Sequence, residues 1–347
     1  MKKLFLSLAL LAFVALPNAV AQKGYAKVTV AFYNLENLFD TEDGPNNDAE
    51  YLPDGANHWT LEKYHNKLHN MAKVISQIGG DGPAVIGVSE VENRKVLEDL
   101  VKEPALQRLG YSIVHYESPD FRGIDCALLY RPEIFKLTAS SAHPVNIPGE
   151  PYIKTRDVVV AFGYIDNEPF SFLVGHWPSR AGGEAVSLNR RMAAAETMRA
   201  QADSILRLEP KSKIIMMGDF NDDPTSPSVV KGLRLKKGPK GLGANEFYTP
   251  MRKLYRDGIG TLAYRDVWNL FDIMCVNGNL IGKDHNSFKV YKDPKTGYYA
   301  YVFNKPFLRQ QSGRYKGYPH RTMVGGEYQN GYSDHFPVYM YLVKELK

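Results

Sequence analysis

Short apolar segments alternate with longer amphipathic ones along most of the chain. Val28, Val30 and Phe32 recur at a period of two, which predicts a strand. Between residues 61 and 78 the apolar positions recur at helical spacing, which predicts an amphipathic helix. The same reasoning predicts strands at residues 84–88, 126–130, 158–164, 170–174, 214–217, 272–276 and 338–343, and helices at 93–109, interrupted near Pro104, and at 188–208.

The connections between these elements indicate the fold class. The strands at 158–164 and 170–174 are joined by a turn, whereas others are separated by helices. Hairpin-paired strands beside strands separated by helices predict an α/β fold of mixed sheets with helices on the outer faces. Residues 231–262 and 283–330 are rich in Gly, Lys and Tyr, and we expect them to form long surface loops within one domain.

The first 21 residues have the pattern of a secretory signal peptide. Lys2 and Lys3 precede an uncharged apolar run at residues 4–16, and Ala19-Val20-Ala21 offers a cleavage site. The run has no polar face, which argues against an amphipathic surface helix. No later stretch of about 20 apolar residues predicts a transmembrane segment. We therefore expect an exported protein, periplasmic or extracellular, that begins at Gln22.

Composition narrows the class of protein. The chain has 347 residues, 44% hydrophobic and 23% charged, as expected for a globular protein rather than a disordered or multi-span membrane protein. Removing the signal takes 2 of the 43 basic residues and leaves 38 acidic ones, a net charge of +3, which is too small to indicate tight duplex binding. Cys126 and Cys275 both lie in apolar runs, so two buried thiols are favoured over the disulfide that export would permit.

Polar residues recur where the apolar strands end. A strand end is where a side chain can leave the core and face a cleft, although turns and helix caps also use Asp and Asn. One such residue would carry little weight, whereas the repetition along this chain suggests a common site. The residues are Asn34, Glu90, His176, Asp219, Asn221, Asp272, Asp334 and His335.

Clustered carboxylates repel one another and need a cation or bound protons. Carboxylate and amide oxygens suit Mg²⁺, Mn²⁺ or Ca²⁺ better than zinc. Asp219 and Asn221, two apart on an extended chain, would point to the same side and could hold and deprotonate a water molecule. With histidines beside the cation, these residues predict metal-assisted hydrolysis of a phosphoester.

These motifs resemble those of the endonuclease/exonuclease/phosphatase family, in its deoxyribonuclease-I-like, secreted bacterial form. The resemblance depends on Gly-Asp-Phe-Asn at 218–221 and Ser-Asp-His at 333–335, with Glu90 between Asn34 and His176. It implies a four-layer αββα sandwich of two mixed β-sheets flanked by helices. Because the motifs span the mature chain, residues 22–347 are expected to form a single domain, although length alone would also allow two.

The resemblance also implies roles for the site residues. Glu90 would bind the catalytic ion, with Asn34 and Asp334 nearby, and Mg²⁺ is the expected cofactor. Asp219 would activate the water, and Asn221 would hold the phosphate. His335 would contact the scissile phosphoryl group with Asp272 as its partner, and His176 would protonate the leaving oxygen or stabilise the transition state. Arg156 resembles a phosphate-contacting arginine, and Arg180 is a second candidate for substrate binding.

The substrate is less constrained by the sequence. Residues 231–240 are basic, and residues 310–321 mix basic and aromatic side chains, which suits a nucleic-acid strand. The expected function is a divalent-metal-dependent phosphodiester hydrolase, an endonuclease or exonuclease acting on nucleic acid. Two alternatives stay open: a phosphatase or a phospholipid or inositol-phosphate phosphodiesterase using the same site, and a catalytically silent binding protein of the same fold.

Overall fold

A computed structural model describes residues 24–346, so the predicted signal peptide lies outside the described residues. The strands are β1 (Tyr25–Leu38), β2 (Val85–Val91), β3 (Ser112–His115), β4 (Asp125–Tyr130), β5 (Phe135–His143), β6 (Val158–Ile165), β7 (Glu168–His176), β8 (Lys213–Asp219), β9 (Phe247–Tyr248), β10 (Leu262–Tyr264), β11 (Val267–Asn269), β12 (Asp272–Asn277), β13 (Lys289–Val290), β14 (Tyr301–Val302), β15 (Met323–Val324), β16 (Glu327–Tyr328) and β17 (Val338–Glu345). The α-helices are α1 (Leu61–Ile75), α2 (Arg94–Lys102), α3 (Pro104–Gln107), α4 (Leu188–Leu208) and α5 (Met251–Arg256).

Two mixed sheets dominate residues 24–346. The first has the order β13-β17-β1-β2-β4-β3, with β14 also paired to β17, and the second has the order β5-β6-β7-β8-β12-β9. In each sheet one central pair is parallel, β1 with β2 and β7 with β8, and the other pairs are antiparallel. Two short hairpins, β10-β11 and β15-β16, stand apart from both sheets. The arrangement confirms the predicted α/β sandwich of two mixed sheets flanked by helices.

The period-two pattern of β1 explains how the layers stack. Val30 and Phe32 belong to the hydrophobic cluster that includes β6, β7 and β8 of the second sheet. Ala31 and Tyr33, on the opposite face, belong to the cluster that includes α1, α2 and α3. Helix α4 packs against β6 and β7 on the outer face of the second sheet. The order helix, sheet, sheet, helix therefore follows from alternating side chains.

The predicted elements are confirmed with small changes in their bounds, but the two loop predictions are partly wrong. Residues 231–262 contain β9 and α5, and Phe247 and Met251 are fully buried. Residues 283–330 contain short strands and bury Phe288 and Phe303. The strands β3 and β5 were missed, because β3 is short and β5 exposes polar residues at the edge of its sheet.

The structure also bears on the predictions for membrane-spanning segments and for the two cysteines. Among residues 24–346, no helix is long and apolar enough to cross a membrane. Cys126 on β4 and Cys275 on β12 are both free and buried, in agreement with the favoured prediction. Burial raises the pKa of the Cys275 thiol to about 12, so the thiolate is strongly disfavoured at neutral pH.

Candidate active site

Strand pairing brings the predicted residues to one end of the sandwich. On the first sheet Asn34 pairs with Ser89, the residue before Glu90. On the second sheet Asp219 pairs with His176 on one side and with Asp272 on the other. Since the sheets pack face to face, the ends of β1, β2, β7, β8 and β12 meet in one cluster.

Asn34 connects the two sheets. Its Nδ2 donates to Asp219 Oδ2 at 3.0 Å and to Glu90 Oε1 at 3.3 Å. Its Oδ1 accepts the Glu36 N–H at 2.9 Å, which sets the orientation of the amide. The buried amide thus presents N–H groups, rather than its oxygen, to the two carboxylates. This geometry favours an orienting role, and the predicted metal-ligand role of Asn34 stays a prediction.

Glu90 lies at an irregularity of β2. Its φ of +60° is unusual for a residue with a side chain, and the register with β4 shifts between Ser89 and Val91. Its Oε2 accepts the Asn37 N–H at 3.1 Å and lies 3.3 Å from Arg122 Nη2. Strained backbone of this kind persists where the surroundings hold it, often at functional sites. The local geometry turns the Glu90 carboxylate into the cluster.

Asp219 and Asn221 are held by a turn. The Asn221 N–H donates to Asp219 Oδ1 at 2.9 Å, and Asn221 Nδ2 donates to the Trp177 carbonyl oxygen at 2.9 Å. The expectation of two side chains on one side of an extended chain is wrong, because Asn221 has a φ of +50°. A Cβ at Gly218 would lie 1.9 Å from the Gly175 carbonyl oxygen, so glycine is required for the close approach of β7 and β8.

His335 and Asp272 form a buried pair across the two sheets. His335 Nδ1 lies 2.7 Å from Asp272 Oδ2, and His335 Nε2 lies 3.7 Å from Asp219 Oδ2. Ser333 fixes the loop, since its hydroxyl donates to the Asn34 carbonyl oxygen at 2.7 Å and accepts the His335 N–H at 3.1 Å. Burial alone would lower the pKa of His335, but Asp272, Asp219 and Asp334 together raise this pKa well above its usual value.

His176 has the opposite electrostatic environment. Its Nε2 lies 3.6 Å from Asp219 Oδ2 and 3.8 Å from Glu90 Oε1, while its buried Nδ1 has no hydrogen-bond partner. Burial, followed by the positive charges of Arg156 and Arg122, holds the pKa of His176 well below its usual value. The site therefore pairs a neutral imidazole with a protonated one, and environments that separate two pKa values in this way assign different proton-transfer roles.

The two arginines predicted to bind substrate have partners within the chain. Arg156 is buried and donates to the carbonyl oxygens of His176 and Trp177 at 3.1 and 2.7 Å, and its Nη1 lies 2.9 Å from Asp120. Arg180 Nε donates to the Asn221 carbonyl oxygen at 3.0 Å, and its guanidinium also pairs with the carboxylates that follow Asn221. Both geometries stabilise the loops behind the site, and substrate contact by either arginine stays a prediction.

A second layer of charged residues, which the sequence pattern did not indicate, lies behind Asp334. Arg321 bridges Glu36 Oε1 at 2.9 Å and Asp334 Oδ2 at 3.2 Å. Lys67 is 1% exposed and donates to Thr322 and to the Tyr332 carbonyl oxygen. Burial lowers the pKa of Lys67 to about 8 and raises that of Glu36 to about 7. The burial of Lys67 could not be predicted from its position in the sequence, because a lysine in an amphipathic helix usually faces solvent.

Another missed residue is Arg122, which contacts Glu90 and donates to Asn37 Oδ1 at 2.5 Å. Arg122 lies in the loop that connects β3 to β4. At the base of this loop, His115, Glu117 and Asp125 form a separate group whose possible ligand atoms lie within 4.8 Å of one another. His115 Nε2 is 3.0 Å from Asp125 Oδ2, so a hydrogen bond already accounts for that contact.

The two basic segments lie in different places. Residues 310–321 include Arg321 and border Asp334. In residues 231–240, by contrast, Leu235 bridges Phe247, and Phe247 pairs with Asn277 at the end of β12 opposite Asp272. Residues 231–240 therefore lie near the opposite end of β12, and their contribution to the substrate site stays a prediction.

Sequence comparison decides the family. The pattern of the Endonuclease/Exonuclease/phosphatase family matches residues 29–344, which include all the strand-end residues described above. The chain belongs to this family. Membership supports hydrolysis of phosphate esters in general, and enzymes of this family typically depend on a divalent metal. A comparison with curated protein sequences gives no match.

Solved structures of this family share the fold at low sequence identity. D. rerio TDP2 in complex with a single-strand DNA product has a TM-score of 0.54 and 12% identity, covering 91% of this chain and 99% of that chain. The human Nocturnin catalytic domain with bound sulfate has a TM-score of 0.52 and 16% identity, covering 93% and 98%. A mannosyl-6-phosphatase from Bacteroides thetaiotaomicron has a TM-score of 0.51 and 18% identity, covering 91% and 99%.

The residues present fit a divalent cation. Five carboxylates converge here, from Glu36, Glu90, Asp219, Asp272 and Asp334. They still outnumber the neighbouring cations, which are Lys67, Arg122, Arg321 and the protonated His335. Burial raises the pKa of Asp219 to about 6, as expected for a carboxyl group that is removed from water and lies beside other negative charges. Carboxylate oxygens are the donors preferred by hard cations such as Mg²⁺.

Proposed function

We propose that this chain is a divalent-metal-dependent phosphodiester hydrolase that acts on nucleic acid, with Mg²⁺ as its ion. One observation carries the proposal: Asp219 Oδ2 lies within 3.7 Å of Asn34 Nδ2, His176 Nε2 and His335 Nε2, which come from three different strand ends. Burial raises the pKa of Asp219 to about 6, which makes this carboxylate a better acceptor for a proton from an attacking water that the neighbouring donors help to position. The DNA product bound to TDP2 supports nucleic acid as the substrate.

Each side chain then has a distinct task. Glu90 and Asp334 would hold the cation, which when bound supplies positive charge beside the phosphoryl oxygens. Asp219, oriented by Asn34 and the Asn221 N–H, accepts the proton of the attacking water. His335, held as an imidazolium by Asp272, donates from Nε2 to a phosphoryl oxygen. His176, neutral through burial, donates a hydrogen bond from Nε2 as charge develops.

The test is hydrolysis of matched phosphoesters by residues 22–347. Plasmid DNA, single-stranded DNA, RNA, sphingomyelin and inositol phosphates are incubated with Mg²⁺, Mn²⁺, Ca²⁺ or EDTA. We expect cleavage of nucleic acid that EDTA abolishes. Activity that is insensitive to EDTA would contradict the metal dependence. Release of terminal phosphate alone would favour the phosphatase alternative, and ion binding without turnover would favour the binding protein.

Asp219→Ala tests the assigned base. We expect kcat to fall by about 10²- to 10⁴-fold, the usual contribution of a general base. Asp81→Ala is the matched control, because Asp81 is exposed and lies before β2, at the end of the sandwich opposite the site. If Asp219→Ala retains wild-type kcat, Asp219 does not activate the water.

We also propose export. The pattern of residues 1–21 supports it, with two lysines, an uncharged apolar run and a small-residue cleavage site in that order. Expression of the whole chain, followed by fractionation and N-terminal sequencing, tests this directly. A mature protein beginning at Gln22 is expected outside the cytoplasm, whereas a cytoplasmic protein that retains Met1 would overturn the assignment.

A further inference from the structure

A cavity of about 290 Å³ opens beside Asp334. The β10-β11 hairpin forms one wall, with Tyr264 and Arg265, and residues 310–321 form the other, with Arg314 and Tyr315. Its volume lies near the lower end for small-molecule sites, which suits one cyclic group rather than an extended ligand. We call it the Tyr264–Tyr315 cavity.

The cavity is fixed relative to the candidate active site. Trp268 of β11 stacks on Phe336, the residue after His335, with ring centroids 6.1 Å apart and planes at 15°. Trp268 also meets Tyr318 edge-on at 5.6 Å, and the Tyr318 hydroxyl donates to Asp266 at 2.6 Å. Arg321 lines the cavity and contacts Asp334. A group bound in the cavity would therefore lie next to the reacting phosphate.

The cavity walls combine aromatic surface with positive charge. Tyr264 is 63% exposed and Tyr315 is 47% exposed, although aromatic side chains of this size usually bury more of their surface. The guanidinium carbon Cζ of Arg265 lies 5.2 Å from the centroid of the Tyr264 ring, and Cζ of Arg314 lies 5.5 Å from the centroid of the Tyr315 ring. Arg314 is only loosely paired, since its Nη2 is 3.9 Å from Asp266 and its side chain is 75% exposed. Exposed rings beside exposed guanidinium groups offer a stacking face and a partner for phosphate.

We propose that the Tyr264–Tyr315 cavity is a subsite that stacks one base of a single-stranded nucleic acid, while Arg265 and Arg314 bind an adjacent phosphate. This proposal rests on the proposed function, because it names the substrate of the same site. Aromatic rings stack on any base, so the subsite selects for the presence of a base rather than for its identity. A single strand is favoured because its bases are free to leave their neighbours.

The experiment compares two substrates that share a backbone. One is a single-stranded DNA oligonucleotide, and the other is the same oligonucleotide with abasic tetrahydrofuran sites at every position. For Tyr264→Ala and Tyr315→Ala we expect kcat/KM on the base-bearing strand to fall about tenfold, within the range for loss of one stacked base. On the abasic strand the two variants should match the wild type. Tyr315→Phe keeps the ring and should keep the activity.

A binding measurement separates this proposal from the proposed function. Fluorescence anisotropy of a labelled oligonucleotide, in EDTA and in the Asp219→Asn background, reports base stacking without hydrolysis. The tyrosine variants should weaken binding of the base-bearing strand and leave the abasic strand unchanged. Tyr25→Ala is the matched control, because Tyr25 is 49% exposed and opens β1 at the opposite end of the sandwich.

Three outcomes are decisive. Equal losses on both substrates would mean that the tyrosines shape the site generally, and the base subsite would be wrong. Tyrosine variants that affect only inositol or sugar phosphates would assign the cavity to a polyol ring and would also overturn it. If metal-dependent hydrolysis of nucleic acid persists in every tyrosine variant at wild-type rates, the proposed function survives and this inference does not.

Discussion

His335 Nδ1 lies 2.7 Å from Asp272 Oδ2, and this contact joins the ends of the two sheets at the centre of the site. Asp272 begins β12 of the second sheet and is fully buried, whereas His335 precedes β17 of the first. Because the carboxylate faces Nδ1, the ring presents Nε2 towards Asp219. The pair therefore sets both the direction and the charge of the imidazole.

Removing this carboxylate charge should alter the pH dependence as well as the rate. In Asp272→Asn the raised pKa of His335 returns towards its usual value, so the imidazolium is lost at lower pH. We expect kcat to fall about 10²-fold at neutral pH and the alkaline limb of the pH–rate profile to move to lower pH. A uniform loss at every pH would instead indicate a purely structural role for Asp272.

Asp219 should destabilise the metal-free protein at neutral pH. Its pKa is raised to about 6 from 3.8, so between these values the folded protein holds a proton that the unfolded chain releases, and stability falls as pH rises. Asp219→Asn removes this titration and should be more stable by about 3 kcal/mol at pH 7 in EDTA, which is the free energy of a shift of about two pKa units. Urea unfolding at pH 4 and pH 7 measures the difference.

The gain in Asp219→Asn should shrink towards pH 4, because the carboxyl is then protonated in the folded protein and about half protonated in the unfolded chain, so the two states differ little in bound protons. A divalent cation should also reduce it, because binding stabilises only the folded protein with an intact site. Equal stability of the two proteins at pH 7 without metal would contradict the unfavourable ionisation of Asp219.

Arg156 should contribute more to the free energy of unfolding than an exposed arginine does. Arg156→Ala leaves the buried Asp120 carboxylate without its partner and removes donors from two carbonyl oxygens, so we expect a loss of about 3–5 kcal/mol in urea unfolding. Arg94→Ala is the matched control, since Arg94 pairs with Glu98 on the surface of α2, and a much smaller change is expected. Similar losses in both variants would argue against the anchoring role.

Neither cysteine should react in the native protein. Cys126 and Cys275 are buried on different sheets, and burial raises the pKa of both thiols. We expect no labelling by a disulfide reagent such as Ellman's reagent in buffer, and labelling of two thiols per chain in denaturant. Detection of fewer than two thiols after denaturation without reductant would indicate a disulfide or oxidised thiols in the purified protein.

Much of the fold was predictable because its signals are local. Period-two alternation in β1 and helical spacing in α1 and α4 record which face of each element is buried. The strand β5 escaped prediction, since an edge strand that faces water carries a weak hydrophobic pattern. The buried positions within residues 231–262 were also missed, because Phe247 and Met251 are isolated in a Gly- and Lys-rich stretch.

The sequence by itself determined the order of the strand-end motifs, and with it the family and the chemistry that carboxylates and histidines allow. Only the tertiary structure decided which of these side chains meet. Asp272 and His335 are 63 positions apart and come from different sheets. The tertiary structure also decided which groups the basic side chains contact. Arg156 and Arg180 hold loops behind the site, and Lys67 is buried behind Glu36. The periodicity of apolar residues shows which face of one strand or helix is buried. The contacts between these side chains depend instead on how the two sheets pack, and on the fact that a buried charge is unfavourable unless it has a partner.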